Sequence, residues 1–148
     1  MKVLFVCTGN SARSQMAEGF AKAYGKGLLE AASAGLEPRG LHLLAVQVMG
    51  EVGIDISSQC SKALDEGMIE EADYVITLCG DAAERCPVFP PHVKVLHWPF
   101  EDPARIGGPE ELALEKFREV RNQIQERVRA FISERGLPSS PSSASRVK

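Results

Sequence analysis

Apolar residues follow two rhythms along this chain. Residues 2–6 (KVLFV) and 73–78 (DYVITL) are short, nearly unbroken runs. Such runs suit strands that helices cover on both faces, as in a parallel sheet. Residues 30–34 (EAASA) and 93–97 (VKVLH) are weaker runs of the same kind. Between and after these runs the apolar spacing changes to three and four. Residues 14–25 (SQMAEGFAKAYG) carry Met16, Phe20 and Ala23 and stop at a glycine, which predicts a helix. Residues 41–52 (LHLLAVQVMGEV) predict a second. The clearest helix begins near Pro109 and carries Phe117, Val120, Ile124, Val128 and Phe131, with charges on its other faces; Gly136 and Pro138 end it.

Strands that alternate with helices predict an α/β fold: a four-stranded parallel sheet flanked by helices, joined by right-handed crossovers. Residues 1–136 are expected to form one catalytic domain. The remainder, 137–148 (LPSSPSSASRVK), has too little apolar surface to offset the entropy of ordering and is expected to be a disordered tail. No internal repeat occurs.

Composition narrows the function classes. At 148 residues, 44% hydrophobic and 25% charged, the chain suits one globular domain. No stretch approaches the length of a membrane span, and the opening apolar run is too short for a secretory leader. The formal charge of −3 gives no reason to expect nucleic acid or a membrane surface. Cysteines stand at 7, 60, 79 and 86. Without an export signal they point to the reducing cytoplasm, where thiols tend to be catalytic or metal-binding. Paired short spacings of the structural-zinc kind are missing, so no metal is expected. His42, His92 and His97 fall outside every motif and receive no role, and Trp98 reads as core.

The chemistry is concentrated at the start. Ligands of parallel sheets sit beyond the carboxyl ends of the strands, and Cys7 falls at the end of the first. The loop of Thr8, Gly9, Asn10, Ser11, Ala12 and Arg13 then enters a helix near Ser14. Backbone N–H groups and the positive end of the helix dipole converge there, which suits a tetrahedral oxyanion. Gly9 permits the tight loop, Arg13 offers a forked pair of donors, and Ser14 or Thr8 offers a hydroxyl to the sulfur. The same field favours thiolate over thiol, the form in which a cysteine is nucleophilic. The GxxxxGKS/T signature of nucleotide hydrolases is absent.

The stretch CTGNSARSQMAEG resembles the active-site loop of the low-molecular-weight tyrosine phosphatases and of the thioredoxin-coupled arsenate reductases built on that fold. Residues 2–134 fit that layout, which implies a three-layer sandwich. VITLCGDAAERCP, with Cys79 and Cys86 followed by prolines and His97-Trp98, is similar to the redox segment of the reductases. The phosphatases typically lack that pair, carry a second cysteine where Ala12 stands, and have an aromatic after Asp-Pro where Asp102-Pro103 is followed by Ala104.

The resemblance therefore implies an arsenate reductase. In it Cys7 attacks arsenate held by the loop and Arg13, Asp102 protonates the departing oxygen, and Cys79 and Cys86 pass electrons onward as a disulfide relay. Thioredoxin regenerates the enzyme, and no cofactor is tightly bound. The segment between Cys79 and Cys86 is expected to loop out during the relay. Cys60 has no place in it. A phosphatase acting on phosphotyrosine or aryl phosphates is the alternative, and a non-enzymatic redox-sensing partner a third class. A monomer is the default. Some members of the reductase branch bind potassium; Asn10, Glu18 and Ser33 match three ligand positions, and Lys62 stands at the fourth. The Lys62 ammonium is expected to replace the cation, pair with Glu18 and make turnover independent of potassium.

Overall fold

A computed structural model describes residues 1–78, 89–105 and 108–135. Four parallel strands form its centre: β1 (Lys2–Cys7), β2 (Glu30–Gly35), β3 (Tyr74–Thr77) and β4 (Lys94–His97), in the order β2-β1-β3-β4. The register pairs Cys7 with Gly35 and Val6 with Thr77, so the strands end together beside Cys7.

Each strand lies where the apolar runs predict it. β1 and β3 are buried along nearly their whole lengths, which is why their patterns are continuous rather than alternating. β4 is an edge strand with mostly exposed residues, which explains its weak signal.

Helices α1 (Arg13–Tyr24), α2 (Leu43–Glu51), α3 (Glu66–Glu71) and α4 (Glu110–Glu134) surround the sheet, with a 3-10 turn at Pro103–Arg105. The connection from β1 to β2 runs one way along the sheet and that from β2 to β3 runs the other. Right-handed crossovers therefore put α1 and α3 on opposite faces, which makes three layers. α1 and α4 pack against each other, and α2 joins them. α3 is absent from the periodicity reading, because six residues are too few to display a stripe.

The core is drawn mainly from β1, β3, α1 and α4, with Ala34 of β2 and Ala45, Val48 and Met49 of α2. Phe117, Val120, Ile124, Val128 and Phe131 are all buried, as their spacing predicts. Burial of one such side chain contributes about 1.5–3 kcal/mol. Trp98 is buried too, with its ring 6.2 Å from Phe5 and 5.7 Å from Phe131.

α1 departs from its predicted stripe. Met16 and Phe20 are buried but Ala23 is exposed, and the buried face instead takes in Ala17 and Ala21. Everything from Arg13 to Ala21 is buried, polar residues included. The first two turns of this helix are thus enclosed all round, and the polar groups inside them need partners.

Among the described residues, no helix is long and apolar enough to cross a membrane. Cys79, Cys86, the segment between them and the tail from 137 lie outside the described residues.

Candidate active site

The loop after β1 is shaped by where its carbonyls go. The Cys7, Thr8 and Gly9 carbonyls accept from the backbone N–H groups of Leu36, Glu37 and Arg39, at 3.3, 2.8 and 3.0 Å. The Asn10 carbonyl accepts from Gln15 Nε2 at 3.0 Å. The Ser11 carbonyl accepts from the His42 N–H and that of Ala12 from the Met16 N–H, both at 2.9 Å. Each acceptor of the loop is therefore occupied from outside it. Because a trans peptide holds its N–H opposite its C=O, the N–H groups of residues 8–13 face the other way.

Two features hold this shape. Asn10 adopts a left-handed backbone, φ +47°, tolerated by asparagine better than by most residues. At the end of β2, Gly35 lets the loop approach: a Cβ there would stand 2.8 Å from Thr8 O, Asn10 N and Asn10 Cβ.

The start of α1 completes the cradle. Its N-cap, Ala12, has no side chain to bond the first N–H groups, and no acid stands in the first turn. The helix's positive end is left for an external anion. The Cys7 side chain is buried at its foot, with Ser14 Oγ 2.9 Å from Sγ. Asn10 Nδ2 donates to Ser14 Oγ at 2.7 Å, which leaves the Ser14 hydroxyl hydrogen for the sulfur.

Arg13 lies across the opening. Its Nη1 donates to the Phe100 carbonyl at 3.2 Å and its Nη2 is 3.5 Å from Asp102 Oδ2. Asp102 Oδ1 accepts from the Ala104 N–H at 3.0 Å, so the turn holds its own carboxylate.

A pocket of about 420 Å³ opens over the sulfur. The loop contributes Cys7, Thr8, Gly9, Ser11, Ala12 and Arg13; residues 39–43 form a second part, and Asp102 and Ala104 a third. The structure thus brings Cys7, Arg13 and Asp102 to one cavity. Asn10 and Ser14 support it from behind. Chemically the arrangement lines one pocket with a thiol, a guanidinium and a carboxyl group.

Sequence reasoning missed the second part. His42 was assigned no role, yet its backbone N–H holds Ser11 O, its Nδ1 accepts from Leu44 N at 3.1 Å, and its ring packs 4.8 Å from Phe117. Arg39 enters the lining with its stem over Gly9. Gln15 was also missed. It is fully buried, and its Nε2 reaches Asn10 O and Cys60 O, both at 3.0 Å. The sequence held no signal for it, because Gln15 lies off the Met16, Phe20 and Ala23 stripe.

The predicted cation site needs correction at Lys62. Asn10, Glu18 and Ser33 do meet: Ser33 Oγ donates to Glu18 Oε1 at 2.6 Å and Asn10 Nδ2 donates to Ser33 Oγ at 2.9 Å. The Lys62 ammonium bonds Cys60 O instead, at 3.1 Å, and it is the Lys62 backbone N–H that steadies Asn10 Oδ1, at 2.8 Å. The charge beside Glu18 belongs to Lys22, 2.6 Å from Oε2. One helical turn separates Glu18 and Lys22, so their side chains meet on the same face without any loop rearrangement. Among the described residues no cluster of His, Cys, Asp or Glu could hold a metal.

Fold and loop together define a class, and the chain belongs to the low molecular weight phosphotyrosine protein phosphatase family, whose model matches residues 2–137. Within that class the curated relatives it matches at 43–53% identity are arsenate reductases. It is 53% identical over 129 residues, 87% of this chain and 93% of the relative, to the arsenate reductase of Bacillus subtilis. An arsenate reductase solved in a phosphate-binding state superposes with a TM-score of 0.73 at 42% identity, covering 90% of this chain and 97% of that one. The thioredoxin-dependent arsenate reductase of Corynebacterium glutamicum matches with a TM-score of 0.63 at 30% identity, over 88% of this chain and 62% of the other.

Proposed function

We propose that this protein reduces arsenate to arsenite through a relay of three thiols, with thioredoxin as electron donor. The observation that carries the reading is the Cys7 thiol seated beneath an oxyanion cradle, with Ser14 bonded to its sulfur and Arg13 and Asp102 at the opening. Likeness to arsenate reductases over most of both chains supports arsenate as the oxyanion.

Arsenate enters the loop, its oxygens facing the N–H groups of residues 8–13 and the Arg13 fork. The Cys7 thiolate attacks arsenic, a sulfur–arsenic bond forms, and one oxygen leaves as water after taking a proton from Asp102. Cys79 thiolate then attacks the Cys7 sulfur. The sulfur–arsenic bond breaks with its electron pair remaining on arsenic, which leaves as arsenite. Two thiols have become a Cys7–Cys79 disulfide and arsenic has gained two electrons. Cys86 attacks Cys79, forming Cys79–Cys86 and freeing Cys7. Thioredoxin reduces that last disulfide, so no tightly bound cofactor is required.

Ala104 supports reduction over hydrolysis of aryl phosphates. It lines the pocket at the position where the phosphatase pattern carries an aromatic ring. The test is arsenate-dependent NADPH oxidation coupled through thioredoxin and thioredoxin reductase. Turnover in the native protein that is lost in both Cys79→Ser and Cys86→Ser is expected. Absent turnover, together with aryl phosphate hydrolysis that survives both substitutions, would make the protein a phosphatase.

A further inference from the structure

Two guanidinium groups line the pocket over Cys7, and the reduction uses one of them. Arg13 is engaged at both arms of its fork, by the Phe100 carbonyl at 3.2 Å and by Asp102 at 3.5 Å. Arg39 is held differently. Its backbone N–H donates to the Gly9 carbonyl at 3.0 Å, and its stem lies on the loop, with Cδ and Cγ 3.3 and 3.6 Å from where a Cβ on Gly9 would stand. The residue is therefore anchored by its root. Its guanidinium meets Glu37 Oε1 at 3.6 Å, with the two side chains 61% and 54% exposed, and so open a pair is weak and screened by water.

The charges of the lining give this second arginine a task. Nucleophilic attack requires Cys7 as a thiolate, and arsenate is itself an anion at pH 7, so the two reactants repel. Arg13 stands against the Asp102 carboxyl group. The His42 ring accepts at Nδ1 from the Leu44 N–H and so lacks the second proton that would charge it. Arg39 adds a further positive charge to that lining, from a side chain rooted on the cradle itself.

We propose that Arg39 is a specificity-determining residue of this pocket: its guanidinium draws oxyanions to the opening against the repulsion of the Cys7 thiolate and has no such hold on uncharged arsenite. Clefts lined with one sign of charge raise the local concentration and the on-rate of the opposite one. Arsenate carries that charge and arsenous acid does not, so the same residue favours entry of substrate over retention of product. Because the Arg39 side chain is largely exposed, its pull acts on approach and leaves the loop N–H groups and Arg13 to bind the reacting anion. The proposal deepens the reading of the pocket as an oxyanion site and rests on it.

The experiment compares two alkylating agents that differ in charge. Iodoacetate and iodoacetamide both react with the Cys7 thiolate, but only the first is an anion, so the ratio of their rates reads the pull of the pocket apart from the reactivity of the thiol. Native protein, Arg39→Gln and Arg39→Lys are treated at pH 7 in low salt, with Cys7 followed by peptide mass. Both variants keep the backbone bond to Gly9. Arg39→Gln is expected to lower the iodoacetate-to-iodoacetamide ratio by about tenfold, the low end of the enhancement that a charged cleft gives. Arg39→Lys should keep most of the native ratio, because attraction needs the charge and not the planar fork. Added salt should bring the native ratio toward that of Arg39→Gln. An unchanged ratio in Arg39→Gln, or a loss that Arg39→Lys does not repair, would overturn the proposal.

Phosphate separates this proposal from the reading beneath it. The concentration that half-protects Cys7 from iodoacetamide should rise several-fold in Arg39→Gln, and an equal concentration in both proteins counts against a role for Arg39 while leaving the cradle intact. Failure of phosphate to protect native Cys7 would strike the oxyanion reading itself and the proposal with it.

Discussion

Asp102 Oδ2 lies 3.5 Å from Arg13 Nη2 over the pocket that both share with Cys7. Arg13 is thereby held from two sides, because its Nη1 also bonds Phe100 O. The carboxyl group can serve the departing oxygen while the guanidinium faces those that stay. Asp102→Asn keeps the shape and removes the transferable proton. Arsenate turnover is expected to fall by about a hundredfold or more in kcat, the usual contribution of a general acid. Inhibition by phosphate should stay close to native, since the asparagine keeps the shape of the opening. An unchanged kcat would take Asp102 out of the proton transfer.

Gly35 sets the distance between β2 and the nucleophile loop. The atoms a methyl would meet, Thr8 O, Asn10 N and Asn10 Cβ, belong to or directly join the backbone, so no rotamer change relieves the contact. Gly35→Ala is expected to cost about 1–3 kcal/mol, in the range of overpacking, and to slow alkylation of Cys7. Urea denaturation and iodoacetamide kinetics check the two effects. Native stability with native reactivity would mean that the loop yields more easily than its bonds imply.

A clamp of charges joins α2 to α4. Arg118 bonds both oxygens of Glu51, at 3.0 and 3.1 Å through Nε and 2.8 Å through Nη2, and Arg121 Nη1 adds a bond at 2.8 Å. Hydrogen bonds from Arg118 and then Arg121, opposed by partial burial, hold the Glu51 carboxyl below its ordinary value of 4.5. A value depressed in the folded state means stability that is present above the unfolded value and lost as pH falls through the folded one. Glu51→Gln should therefore lower Tm by a few degrees at pH 7, with the difference from native closing below about pH 4.5. Thermal scans across pH test this; a difference that persists in acid would assign the effect to packing.

Cys60 combines an exposed side chain with a backbone carbonyl that accepts from Gln15 Nε2 and Lys62 Nζ. Its contribution is thus made by the main chain, which Cys60→Ser preserves. Turnover in that variant should stay within about twofold of native, as expected for a thiol that does not line the pocket holding Cys7. A large loss would bring Cys60 into the relay.

The sequence by itself determined the four strands and the helices α1, α2 and α4, because their patterns are written in neighbouring residues. Continuous apolar runs mark β1 and β3, a three-and-four stripe marks α4, and the order strand, Cys7, small polar loop, Arg13, helix points to an oxyanion cradle. Backbone conformation and helix direction are local matters, so residues close in sequence suffice to specify them. What only the tertiary structure decided was which distant groups meet. The stretch from Arg39 to His42 reaches the pocket because its N–H groups are the donors that the loop carbonyls need. Lys22 rather than Lys62 neutralises Glu18, since both residues lie on one helical face while the Lys62 chain turns toward Cys60 O. Such choices depend on burial and on competition among partners in space, and these exist only once the sheet has assembled.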